Sequence, residues 1–129
     1  MNKLQSHVCG NIPVFIQKGA LAALNNEKDI VGHMKAVFKK RRDLAYKLCK
    51  EIFPDTPKPE GAFYLFPKMG PDLIAKYETD EKLALHILKE ANVALLPGSY
   101  FGVPNTLRMA FSTSEDNITK GLKAIKEVL

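Results

Sequence analysis

The sequence predicts an α/β (α+β) fold in which helices pack around a small three-stranded sheet. Three observations carry that expectation. A long apolar stripe at helical spacing runs from Ile30 to Ile52. Three short apolar runs, Gly61–Phe66, Val93–Leu96 and Leu107–Phe111, are bounded by proline, glycine or serine. Further helical stripes lie between and after those runs. Strands interleaved with helices bury their faces best as a layer of sheet against a layer of helix. A chain of 129 residues suits one domain and buries about two-thirds of its unfolded surface.

The elements follow in order. Residues 1–13 have no clear period and contain Gly10, Asn11 and Pro13, which suits extended or turning chain. Phe15, Ala20, Leu21, Ala23 and Leu24 indicate a helix from Val14 to Leu24, closed by Asn25-Asn26. In the long helix, Ile30, Met34, Val37, Phe38, Leu44, Ala45, Leu48 and Ile52 recur three and four apart, forming one apolar face. Lys35, Lys39, Lys40, Arg42, Lys47 and Lys50 cover the remainder, and Pro54, Pro57 and Pro59 end it. Gly61–Phe66 reads as a buried strand and Lys68–Thr79 as a connection. Asp80 is placed to cap a helix carrying Leu83, Ala84, Ile87, Leu88 and Ala91. The second strand is Val93–Leu96, and the third is Leu107–Phe111. Ser112-Thr113-Ser114-Glu115 fits a capping box before the stripe Ile118, Leu122, Ile125 and Leu129.

Composition excludes several function classes. A net charge of +5 is modest, and the dense run Lys39-Lys40-Arg41-Arg42 meets Asp43 at once. It reads as the wet face of a helix, so no nucleic-acid partner is expected. No apolar run reaches the ~18 residues of a spanning helix, so no membrane partner is expected either. The start, Met1–His7, has no signal-peptide core, and the expected location is cytoplasmic. Cys9 and Cys49 form no Cys-x-x-Cys pair and read as free thiols. A metal or thiol site on His7 and Cys9 lacks the further ligands it needs, and no metal is expected. His33 and His86 fall within helices, and Met34, Met69 and Met109 read as packing residues.

Two features can carry chemistry. In Leu107-Arg108-Met109-Ala110-Phe111 the period of two sets Leu107, Met109 and Phe111 on one face and Arg108 with Ala110 on the other. Arg108 is then either solvated or ion-paired at the surface, or bound to an anion, which a guanidinium grips with two parallel hydrogen bonds. The loop Pro97-Gly98-Ser99-Tyr100-Phe101-Gly102 is the second. Its glycines permit a tight turn or close approach to a ligand, but it matches neither of the common phosphate-binding glycine patterns.

Glu60–Phe66, Asn92–Gly102 and Leu107–Ser112, in that order and spacing, resemble the carboxyl-terminal portion of class I/II (fold-type I) aminotransferases of the aspartate aminotransferase type. Arg41-Arg42-Asp43 resembles the family too, and Lys3–His7 through Gln17 and Ala20–Leu24 resembles the stretch after the family's cofactor-lysine region. The resemblance implies that residues 1–29 are an interdomain segment and helix from the end of a large domain. Residues 30–129 would then be the C-terminal small domain. It implies that Arg108 binds the substrate α-carboxylate, with Phe63, Gly98 and Phe101 shaping the same pocket and His7 and Asn11 near the approach to an active site. The full-length parent would use pyridoxal 5'-phosphate to move an amino group from an amino acid to a 2-oxo acid, as a homodimer. The family's Schiff-base lysine lies in a Ser-x-x-Lys-like setting that this chain does not contain. No catalytic or cofactor-binding residue is therefore assigned here, and the 129 residues alone are expected to be inactive and to bind no cofactor. The alternative is a non-catalytic, aminotransferase-like ligand-binding or interaction module.

Overall fold

The computed structural model describes Lys3, Leu4, His7 and residues 12–129, with the backbone only at 27–29. The elements are α1 (Val14–Asn25), α2 (Glu27–Lys50), β1 (Tyr64–Leu65), α3 (Pro71–Tyr77), α4 (Asp80–Ala91), β2 (Leu96–Pro97), a 3-10 turn (Gly98–Phe101), β3 (Leu107–Ala110) and α5 (Glu115–Val128). The chain divides into two compact units, residues 1–36 and 37–129, with the division inside α2.

In the first unit, α1 begins after Pro13, whose carbonyl accepts the Ile16 and Gln17 amides, and Asn26 closes it by donating to Ala22 and Ala23. None of its residues is buried; Val14, Phe15, Ile16, Leu21 and Leu24 are all exposed. Ile30, Val31 and Met34 on α2 are exposed as well. Met34 therefore does not pack as its place in the stripe predicts, and the buried part of that stripe starts further along.

The second unit holds the core. Ala45, Cys49 and Phe53 are buried, with Phe38, Leu44, Leu48 and Ile52 partly so, and they pack with Leu83 and Ile87 of α4 and Ile118, Leu122 and Ile125 of α5. Burying each such large aliphatic side chain contributes about 1.5–3 kcal/mol. Leu88 is the exception on α4, at 46% exposure, because the buried stripe there runs through Leu83, Ala84 and Ile87. The sheet is antiparallel with β3 central, in the order β1-β3-β2. Tyr64 pairs with Ala110, Leu65 with Met109, Leu96 with Arg108 and Pro97 with Leu107.

Five local expectations are corrected. The strand over 61–66 shrinks to Tyr64–Leu65, since Ala62 adopts a left-handed φ of 57° that no strand continues through. The strand over 93–96 shifts to Leu96–Pro97, where pairing with β3 begins. The connection 68–79 contains α3, with Pro71 in its first turn, a position where the missing N–H costs nothing. The caps also move by a residue or two. Thr79 rather than Asp80 caps α4, accepting from the Lys82 amide at 3.2 Å. Ser114 rather than Ser112 caps α5, accepting from the Asn117 amide at 3.2 Å, while Glu115 pairs with Lys40.

Candidate functional site

The alternation read from β3 is realised. Leu107, Met109 and Phe111 are buried, at 0%, 8% and 1% exposure, against Leu65 of β1 and the helices beyond. Arg108 stands on the opposite face, half-buried, and Ala110 beside it is exposed. Because Tyr64 pairs with Ala110 and Leu96 with Arg108, the pleat puts these four residues on one side of the sheet.

The Arg108 guanidinium carbon sits 3.9 Å from the centre of the Phe101 ring and 4.6 Å from that of Tyr64. Each stacking is a cation–π contact of about 0.5–2 kcal/mol. Arg108 belongs to none of the ion pairs seen among the described residues. The two rings crowd the guanidinium but satisfy none of its N–H donors, which have no hydrogen-bond partner among the described residues. A guanidinium whose fork of N–H donors is uncommitted suits a carboxylate, which it grips in its own plane. This observation weighs against the surface ion pair that the sequence left open.

The rings extend into a line. Phe63 stacks on Tyr64 at 4.7 Å and on Phe38 at 6.3 Å, and Arg41 lies over Phe38 at 5.6 Å. Phe66 meets Phe101 edge-on at 6.3 Å. Arg42, next in the basic cluster, is tied down locally. Arg42 donates to Asp43 through Nε and a terminal nitrogen, and Lys58 adds a second cation at 3.1 Å. These hydrogen bonds, that from Arg42 first, hold the Asp43 carboxyl below its ordinary range.

The glycine-rich loop forms a 3-10 turn, and several backbone donors in and just after it are already engaged. Gly98 donates to Thr106, Ser99 to Asp80, Gly102 to Ser99 and Val103 to Gly98. These amides cannot cradle a phosphate. Gly98 is required by close approach, because a Cβ there would lie 1.8 Å from Thr106 Oγ1 and 2.6 Å from the Val103 carbonyl oxygen. Gly102 ends the turn in a left-handed conformation, φ 76°. On the turn, Tyr100 is exposed, and neighbouring Glu81 raises its phenol above the usual value.

Of the residues singled out from the sequence, the structure therefore brings Arg108, Phe101 and, through Tyr64, Phe63 together, with Gly98 at the base of the turn that carries Phe101. His7 is helical and exposed, while Asn11 and Cys9 lie outside the described residues. His33 is exposed on α2. His86 Nε2 is 3.0 Å from the Val128 carbonyl oxygen and its ring packs on Tyr77, a structural role. Among the described residues no group of three or more His, Cys, Asp or Glu could hold a metal, and no helix is long and apolar enough to cross a membrane. Two participants were missed in the sequence. Tyr64 was visible as an alternate residue of a strand facing β3. Asp80 was visible only as a cap.

The profile of the family described as aminotransferase class I and II matches residues 1–125. The chain belongs to that family. A probable aspartate/prephenate aminotransferase from Aquifex aeolicus is 42% identical over 129 residues, covering 98% of this chain and 32% of its own length. An aspartate aminotransferase from Thermotoga maritima is 35% identical, covering 100% of this chain and 32% of its own length. The crystal structure of an aromatic aminotransferase from Pyrococcus horikoshii superposes with a TM-score of 0.86 at 32% identity, over 98% of this chain and 34% of that one. The chain thus spans about a third of the length of the aminotransferases it matches. Its antiparallel sheet and five described helices are those of fold-type I aminotransferases, the fold class expected from the sequence.

Proposed function

We propose that this chain is the carboxyl-terminal part of a pyridoxal-phosphate-dependent aminotransferase, and that Arg108 binds the α-carboxylate of the amino-acid and 2-oxo-acid substrates. The observation that carries this reading is the guanidinium set against the Phe101 and Tyr64 rings with its N–H donors uncommitted. Two parallel hydrogen bonds from those donors fix the carboxylate in position and in plane. Orientation of this kind lowers the barrier by removing rotational freedom before the reaction begins. Phe63, Gly98 and Phe101 shape the pocket wall, and His7 and Asn11 belong to the segment that approaches an active site in the homodimer.

The residues around Arg108 do not themselves make a cofactor site. The cluster consists of a guanidinium and aromatic rings, and the Gly98, Ser99 and Gly102 amides of the adjoining turn already have protein partners. In the full-length parent, pyridoxal 5'-phosphate supplies the electron sink, held by a lysine outside the Arg108 cluster. The chain's contribution is recognition, and the 129 residues alone transfer no amino group.

Arg108→Ala in the full-length enzyme tests the assignment. Losing a buried carboxylate partner costs about 2–5 kcal/mol, a fall in kcat/KM of about 30- to 5000-fold. Arg108→Lys keeps the charge but not the fork and recovers only part of that loss. Unchanged kinetics in Arg108→Lys would remove the bidentate role.

A further inference from the structure

Asp80 is 3% exposed, a charged group buried at the first residue of α4. It is not the helix cap, since Thr79 has that role. Its two carboxylate oxygens are both spent on one residue of a distant segment. Oδ2 accepts from the Ser99 amide at 2.8 Å and Oδ1 from the Ser99 hydroxyl at 2.9 Å. Ser99 is the second residue of the 3-10 turn, and Phe101 is its last. The Phe101 ring in turn lies 3.9 Å from the Arg108 guanidinium carbon. Phe101 is 43% exposed, so packing holds it weakly and its place depends on the backbone of the turn. The Gly98–Thr106 pairing anchors that backbone at its base, Tyr100 reaches Glu81 by its side chain, and the Asp80 clasp on Ser99 ties the backbone of the turn directly to α4.

Burying a carboxylate is expensive unless its hydrogen bonds and surroundings compensate. Here the helix N-terminus and the two Ser99 donors compensate it. A neutral cap would not carry that desolvation cost, and a surface turn would not call for a charge-assisted double bond at its second residue.

Building on the Arg108 assignment, we propose that Asp80 is a positioning residue. Through Ser99 it holds the turn so that the Phe101 ring stays against Arg108, and the guanidinium is thereby held in place for the substrate carboxylate. Asp80 touches no substrate. Its effect passes through Phe101.

The test is steady-state kinetics of the full-length enzyme with its amino-acid donor. Phe101→Leu removes the ring and raises KM about tenfold, with a smaller change in kcat. Asp80→Ala raises KM to a similar extent. The double variant Asp80→Ala/Phe101→Leu has the KM of Phe101→Leu alone, because the clasp has nothing left to position. Asp80→Asn restores most of the binding, since its amide oxygen still accepts from the Ser99 amide and its NH₂ donates to the Ser99 hydroxyl. Ser99→Ala, which keeps the carboxylate and one of the two bonds, gives a smaller KM rise and decides the matter if Asp80→Ala does not fold. Multiplicative effects in the double variant overturn the inference. So does a lowered Tm with unchanged KM in Asp80→Ala or Ser99→Ala. If Arg108→Lys itself leaves KM unchanged, the carboxylate assignment falls and this inference with it; if Arg108→Lys responds and the Asp80 and Ser99 variants do not, only the clasp is refuted.

Discussion

Gly98→Ala places a methyl group where the structure has no room. Its Cβ would stand 1.8 Å from Thr106 Oγ1, 2.6 Å from the Val103 carbonyl oxygen and 2.9 Å from the Thr106 carbonyl oxygen. The first clash could be relieved by turning the Thr106 side chain, at the expense of its 2.6 Å bond to the Val103 carbonyl. The other two involve backbone, and that backbone is tied to Gly98 itself by the Gly98–Thr106 and Val103–Gly98 hydrogen bonds. The turn must therefore move. Overpacking of this kind costs about 1–3 kcal/mol, and loss of one hydrogen bond adds about 0.5–1.5 kcal/mol. A destabilisation of about 2–4 kcal/mol is expected. Urea unfolding followed by far-UV circular dichroism measures it, tryptophan being absent. Thr106→Ala in the Gly98→Ala background removes the nearest atom but leaves the Val103 oxygen, so it recovers only part of the loss. A Gly98→Ala protein within about 0.5 kcal/mol of the parent, the range of ordinary surface changes, would refute the reasoning. It would mean that the turn adapts freely and does not hold Phe101 in place.

Other outcomes follow from the same geometry. Burial pushes the Cys49 thiol up to about 11 from an ordinary 9.0. Its folded value thus exceeds its unfolded value, so the associated stability is complete below pH 9 and is lost as pH rises toward 11. The loss is about 2–3 kcal/mol, and a Cys49→Ala protein should lack that alkaline slope in urea titrations at pH 8–11. In a Cys9→Ser background Cys49 should resist a thiol reagent at pH 8 until the protein is unfolded; rapid labelling of the native protein would contradict its burial. Ser114→Ala should cost about 1 kcal/mol as a lost helix cap, and Ser112→Ala almost nothing; the reverse order would restore the capping box to Ser112. Ala62→Gly should raise the unfolding free energy from urea titration by about 0.5–1 kcal/mol, because Ala62 is exposed and holds a left-handed φ of 57°; a lower unfolding free energy would show that the position is not strained.

Much of β3 was legible in the sequence because a period of two is a direct physical signal. Alternating Leu107, Met109 and Phe111 can bury only together, and that leaves Arg108 on the other face. The helices that carry buried stripes were legible for the same reason. What escaped was set by partners distant in sequence. Nothing in Gly61–Phe66 shows that pairing begins at Tyr64, because the register comes from β3. Nothing near Asp80 shows that its carboxylate serves Ser99 instead of its own helix end. The α3 helix was hidden by Gly70-Pro71, a pair that marks a turn as readily as a first helical residue. On α1 the helix itself was legible, but exposure of its apolar side chains was not, since periodicity reports a face and not what covers it.

The two faces of β3 also link folding to recognition in a way that can be counted. A one-residue slip of this strand would turn Arg108 inward and bring Leu107, Met109 and Phe111 out to solvent. No intermediate register offers a weakened guanidinium over an intact core. Faults in this strand should therefore lower the number of competent molecules without altering the affinity of those that remain. Titration of carboxylate-binding sites against total protein would then serve as a census of correctly registered chains.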